Sequence, residues 1–164
     1  MNRVVLLLGS NIGERIQHLQ TAVHEINRLL GKSIQQSSIY ETAAWGNIKQ
    51  EKFLNQVIII QSEFDAEEIL RKILMIEEKI GRKRTMKWEA RIIDIDILFF
   101  NDEIISNDHL VIPHPNLHER KFTLVPLAEL IPGYYHPVLK KTISALLLEI
   151  KDSLDVIKTS YHFA

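Results

Sequence analysis

Cysteine is absent from the 164 residues. That excludes disulfides and thiolate metal sites, and it fits a reducing cytoplasm, the expected location. A membrane-length apolar run is missing too. The N-terminal run Val4 to Leu8 is ended by Gly9 and is too short for a signal segment or a span. Charge of one sign is not in excess, with a net charge of −1 and a pI of about 6.7. No global field therefore recruits nucleic acid or a membrane surface. Repeats and low-complexity tracts are absent. What remains is 46% hydrophobic and 25% charged, a balance that lets a chain of this length bury a sizeable core. The expectation is one domain over residues 1–164, working as a monomer.

Basic character is concentrated locally, in Gly81 to Phe100, GRKRTMKWEARIIDIDILFF. A cationic segment with Arg82, Lys83, Arg84, Lys87 and Arg91, and Trp88 among them, runs into an apolar strand with two charges, Asp94 and Asp96. Alternation puts Ile93, Ile95, Ile97 and Phe99 on one face and the two aspartates on the other, with Ile92 and Leu98. Two carboxylates on one strand face suit Mg²⁺, and arginines suit phosphate oxygens. Taken singly, the pair also reads as the solvated face of an edge strand, and the basic segment as a solvated turn. Together they are the parts of a metal-dependent phosphoryl transferase.

The rest of the chain reads as alternating elements. Arg3 to Leu8 is a buried strand, followed by a Gly9-Ser10-Asn11 turn in which Ser10 or Asn11 caps a helix closed by Gly31. Residues 33–42 form a strand with one solvated face, and residues 43–51 a loop with Trp45. Residues 53–64 form a second strong strand, with Phe53, Asn55, Val57 and Ile59 on one face. Phe53 and Asn55 can stack on and hydrogen-bond a flat heterocycle, or serve the core and a neighbouring loop. Asp65 caps a helix that ends at Gly81. His114 lies in a rigid extended segment between Pro113 and Pro115, where it is either structural or part of a site. A helical turn at 117–120, a short helix at 125–130 and a last helix at 142–150 follow. The order suggests an α+β, ferredoxin-like β-α-β-β-α-β sandwich. Its sheet is expected to be mostly antiparallel, with helices on one face and site-forming loops on the other.

These segments resemble the 6-hydroxymethyl-7,8-dihydropterin pyrophosphokinase family. The matching pieces are GSN at 9–11, YETAAWG at 40–46, FLN at 53–55, GRKR at 81–84, WEARIIDIDI at 88–97, IPHP at 112–115 and ERKF at 119–122. The arginine-led Asp-x-Asp strand followed by Pro-His is the specific part. Glu89-Ala90 departs from the family's Gly-Pro, and Pro115 stands where an aromatic is common. The resemblance implies transfer of the pyrophosphoryl group of ATP to the hydroxymethyl oxygen of the pterin, releasing AMP, without a covalent enzyme intermediate. It implies that Asp94 and Asp96 hold two Mg²⁺ ions with ATP. Arg82, Arg91 and Trp88 take catalytic roles, while Arg84, His114 and Arg120 face the nucleotide. Thr42, Trp45, Phe53, Asn55 and Phe122 form the pterin site. Another metal-dependent phosphoryl enzyme, or a non-enzymatic binding module of the same fold, are the alternatives.

Overall fold

The computed structural model describes residues 1–43, 51–81 and 92–162. Strand β1 (Asn2–Ser10) is apolar on both faces and runs between β4 (Phe53–Ser62) and β5 (Asp94–Phe100), antiparallel to each. Beyond β4 lie β2 (Lys32–Gln36) and β3 (Tyr40–Thr42), and β8 (Val156–Lys158) pairs with β3. Helices α1 (Arg15–Leu29) and α2 (Ala66–Ile80) complete the ferredoxin-like order, with a strand sequence of β5-β1-β4-β3-β8 across the sheet. A two-stranded ribbon, β6 (Ile105–Ser106) with β7 (Val111–Ile112), leads into a 3₁₀ turn at Leu117–Glu119, then α3 (Lys121–Leu130) and α4 (Ile143–Glu149).

Helices cover both faces of the sheet, not one. Even-numbered β1 and β4 residues such as Leu6, Leu8, Ile58 and Ile60 form a core with Leu19 and Ile26 of α1 and Ile69, Ile73 and Ile76 of α2. Odd-numbered residues Val5, Leu7, Val57 and Ile59 form a second core with Leu124 and Leu127 of α3 and Ile143 and Leu146 of α4. The two central strands are apolar on both sides and need two covers. Each full apolar side chain removed from water contributes about 1.5–3 kcal/mol.

Five further expectations are corrected. Phe99 belongs to the second core, because Val5 pairs with Phe99 and Leu6 with Ile97, leaving Leu98 as an extra residue in the ladder. A bulge of this kind flips the alternation beyond it, so Phe100 takes the place on the first face. Residues 33–42 are two strands, interrupted where the Ser37 side chain accepts the Val57 N–H at 2.9 Å. Neither Ser10 nor Asn11 caps α1: Ser10 still belongs to β1, and the cap position is Glu14, which makes no side-chain cap bond. Helix α3 starts at Lys121, where the Asp152 carboxylate accepts the backbone N–H at 3.1 Å. The strand over 53–64 stops at Ser62. At α2 the expectation holds. Asp65 accepts from the Glu68 N–H, and Gly81, at φ 115°, closes the helix in a left-handed conformation that favours glycine.

Candidate active site

Three strands set the site by register. Gly9 of β1 lies opposite Asn55 of β4 on one side and Asp94 of β5 on the other; Leu7 lies between Val57 and Asp96 in the same way. Directly paired residues share a face, and Leu7 and Val57 face α3 and α4. Asn55, Gly9 and Asp94 are therefore a row on that side of the sheet. Across β3 the row continues, with Tyr40 opposite Asn55 and Thr42 opposite Phe53. At a strand spacing of about 4.8 Å, Asn55 and Asp94 are roughly 10 Å apart. An amide end and a carboxylate end are thus separated by a glycine.

The amide end contains unmet hydrogen-bonding capacity. Asn55 is buried and donates Nδ2 to the Leu8 carbonyl at 3.2 Å. Its Oδ1, together with Thr42 Oγ1, is buried without a hydrogen-bond partner among the described residues. An orphaned buried polar atom costs about 1–3 kcal/mol, which a ligand can relieve. Phe53 and Phe122 are half-buried, and Phe122 packs on the second core. Gly9 makes the row continuous. A Cβ there would come within 2.8 Å of Asn55 Nδ2 and 3.8 Å of Phe53 Cδ1.

The carboxylate end opens into a cavity of about 350 Å³ lined by Asp94, Asp96, His114 and Arg120, with Leu74 and Glu77 from α2. That volume lies within the range of small-molecule pockets. The two aspartates thus face a cavity, not bulk water. His114 follows the cis Ile112–Pro113 bond. Its backbone N–H donates to Leu98 O at 3.0 Å, and its Nδ1 accepts the Asn116 N–H at 3.2 Å. The ring proton therefore sits on Nε2, 3.8 Å from Asp96 Oδ2. Burial, reinforced by the Arg120 charge and opposed by Asp94, pushes the His114 pKa down to about 4. The imidazole is neutral at pH 7. The Arg120 guanidinium lies 5.6 Å from the Phe122 ring centroid.

A divalent cation fits this donor set. Among the described residues no group of three or more His, Asp and Glu side chains gathers to hold one. Mg²⁺ does not require such a cage, because it is usually held by one or two carboxylates with waters and substrate phosphates completing the shell. Asp94 and Asp96 provide the two carboxylates.

Glu77 and Gly9 were not foreseen as site residues. Glu77 is buried and its Oε2 accepts the Ile95 N–H at 2.8 Å, between the two aspartates. Its signal was present in the sequence: it lies four residues after Ile73, inside the apolar stripe of α2. Thr42, Phe53, Asn55, Asp94, Asp96, His114, Arg120 and Phe122 line this face or its cavity. Trp45, Arg82, Arg84, Trp88 and Arg91 lie outside the described residues.

A family model described as 7,8-dihydro-6-hydroxymethylpterin-pyrophosphokinase matches residues 5–132. Over 142 residues the chain is 41% identical to the 2-amino-4-hydroxy-6-hydroxymethyldihydropteridine pyrophosphokinase of Aquifex aeolicus, covering 86% of this chain and 88% of the relative. The Bacillus subtilis protein of the same name is 40% identical over 132 residues, 79% of each chain. A Plasmodium falciparum HPPK-DHPS structure with pterin and p-hydroxybenzoate superposes with a TM-score of 0.74 at 24% identity. That match spans 90% of this chain and 43% of the other, and it bears on the fold alone. The chain belongs to the 7,8-dihydro-6-hydroxymethylpterin-pyrophosphokinase family.

Proposed function

We propose that this member of the pyrophosphokinase family transfers the pyrophosphoryl group of ATP to the hydroxymethyl oxygen of 6-hydroxymethyl-7,8-dihydropterin and releases AMP, in folate biosynthesis. The observation that carries the reading is the row Asn55, Gly9, Asp94, which sets an unsatisfied amide oxygen and a carboxylate pair at opposite ends of one sheet surface.

The amide end takes the pterin. Asn55 Oδ1 accepts from a ring N–H, Phe53 and Phe122 stack on the two faces, and Thr42 and Trp45 meet the edge. The cavity end takes the nucleotide. Arg120 and Arg84 neutralise phosphate oxygens, and the neutral His114 presents its Nε2–H as a donor. Asp94 and Asp96 would hold two Mg²⁺ ions, which would withdraw charge from the phosphate oxygens and the attacking alcohol. Arg82 and Arg91 stabilise the charge spread over the transferred group, and Trp88 helps enclose it. Transfer of this kind needs in-line positioning and charge neutralisation more than a covalent relay, so the hydroxymethyl oxygen attacks the β-phosphorus directly. Asp96 is a candidate acceptor for the alcohol proton.

Mass analysis of the products of ATP and 6-hydroxymethyl-7,8-dihydropterin tests the reading. AMP with a pyrophosphorylated pterin is expected, and ADP with a monophosphorylated product would overturn it. Asp94→Asn and Asp96→Asn are each expected to fold normally and lose turnover by 10²-fold or more, on the order of a lost transition-state contact. Wild-type turnover in either variant would remove the metal assignment.

A further inference from the structure

We propose that Arg15, on the opposite face of the sheet from the reactants, is a positioning residue for the pterin end of the site. The inference rests on the reading above. It starts from an electrostatic oddity. Arg15 is the first residue of α1, no acidic residue occupies that helix's first turn, and its cap position makes no side-chain bond. A cation at a helix N-terminus opposes the helix dipole by a few tenths of a kcal/mol or more. Helix stability does not explain this arginine.

Its contacts do. Arg15 Nη1 donates to Glu41 Oε2 at 3.0 Å and to the Lys52 carbonyl at 2.7 Å. Glu41 immediately precedes Thr42, and Lys52 immediately precedes Phe53. Thr42 and Phe53 are themselves partners across β3 and β4. One guanidinium nitrogen thus spans the two residues that lead into a pair assigned to the pterin. The ion pair is mostly shielded, with side-chain exposures of 21% for Arg15 and 29% for Glu41. At that exposure it is less screened than a surface pair. From the same turn, Asn11 Nδ2 donates to the Glu51 carbonyl at 3.4 Å.

Strand β3 is three residues long and depends on its neighbours for placement. On the reactant face, the Tyr40 hydroxyl donates to the Glu129 carboxylate at 2.5 Å. On the opposite face, Arg15 holds Glu41. Releasing Arg15 frees the open ends of β3 and β4 relative to β1, where Gly9 completes the amide end. Asp94, Asp96 and His114 lie on the far side of β1 from this staple, so the nucleotide end is spared.

The test measures pterin and ATP-analogue dissociation constants for wild type, Arg15→Ala, Glu41→Gln and the double variant, with thermal midpoints. Arg15→Ala is expected to weaken pterin binding roughly tenfold, since sub-ångström misplacement of binding groups has effects of this order or larger. ATP-analogue affinity should stay within about twofold. The double variant should be no worse than Arg15→Ala, because Glu41→Gln breaks a contact that Arg15→Ala already removes. Unchanged pterin affinity in Arg15→Ala, parallel loss of both ligands, or additive losses in the double variant would each overturn the assignment. Failure of the wild type to bind the pterin would instead overturn the functional reading on which the assignment rests.

Discussion

Gly9→Ala isolates the geometry of the row. The new Cβ would sit 2.8 Å from Asn55 Nδ2, whereas ordinary contact begins at 3.4 Å, so the amide must withdraw by about 0.6 Å. The Asn55 bond to Leu8 O is already 3.2 Å long, and that withdrawal takes it past hydrogen-bond range. Asn55 Oδ1 moves with the amide. One or two hydrogen bonds lost, at about 1 kcal/mol each, predict pterin binding weaker by roughly fivefold to thirtyfold. The fold itself should tolerate the change. Alanine loses less backbone entropy than glycine on folding, which offsets the lost Leu8 contact. Asp94 is not among the atoms nearest the added Cβ, so ATP-analogue affinity should hold. Calorimetric titration with the pterin in the presence of the analogue reads the first quantity, titration with the analogue alone the second, and a thermal melt the third. Pterin affinity within twofold of wild type would refute the claim that the absent side chain holds Asn55 in place.

Glu129→Ala removes an acceptor shared by the Tyr40 hydroxyl and the Ser38 N–H, which the carboxylate meets at 2.9 and 3.1 Å. Burial raises the Glu129 pKa, but the Tyr40 and Ser38 hydrogen bonds outweigh it and hold the pKa below the usual carboxylate value. Leaving the buried Tyr40 hydroxyl unpaired should cost about 1–2 kcal/mol in urea unfolding, and Tyr40→Phe should remove most of that penalty. His136 is buried, and its Nδ1 accepts the Val138 and Leu139 N–H groups at 3.1 and 3.0 Å. Burial, then the neighbouring His118, brings its pKa down to about 4. A depressed folded value means that the unfolded chain takes up the proton first. The His136 contribution is therefore intact above about pH 6.5 and is lost as pH falls toward 4. NMR titration of the imidazole should show a midpoint well below 6, and a midpoint near 6.5 would refute the burial argument.

Much of the site was legible because strand chemistry is local. Alternation alone placed Asp94 with Asp96 and Phe53 with Asn55, since side chains two apart on a strand share a face whatever the rest of the chain does. The α2 helix was equally readable from the Asp65 cap to Gly81. Glu77 was hidden for a physical reason: its partner is a backbone N–H of a strand 18 residues away, and a carboxylate in an apolar stripe signals burial without naming what it meets. β8 was missed because three residues carry too little periodicity to announce a strand. It exists only because β3 offers an edge to pair with.

The order of the longer strands and helices, the apolar character of the central strands and the chemical kinds of the site residues are properties of the chain read alone. They depend on spacing of two and of about 3.6 residues, which backbone geometry imposes everywhere. Which kinds stand beside one another was decided by register. The pairing of Gly9 with both Asn55 and Asp94, the bulge that turns Phe99 to the second core, and the reach of Arg15 to Glu41 join residues 26 to 85 positions apart or shift a face by one. Such relations arise only when two cores close on the sheet at once, because a slip of one residue would move every side chain of the central strands from one core to the other.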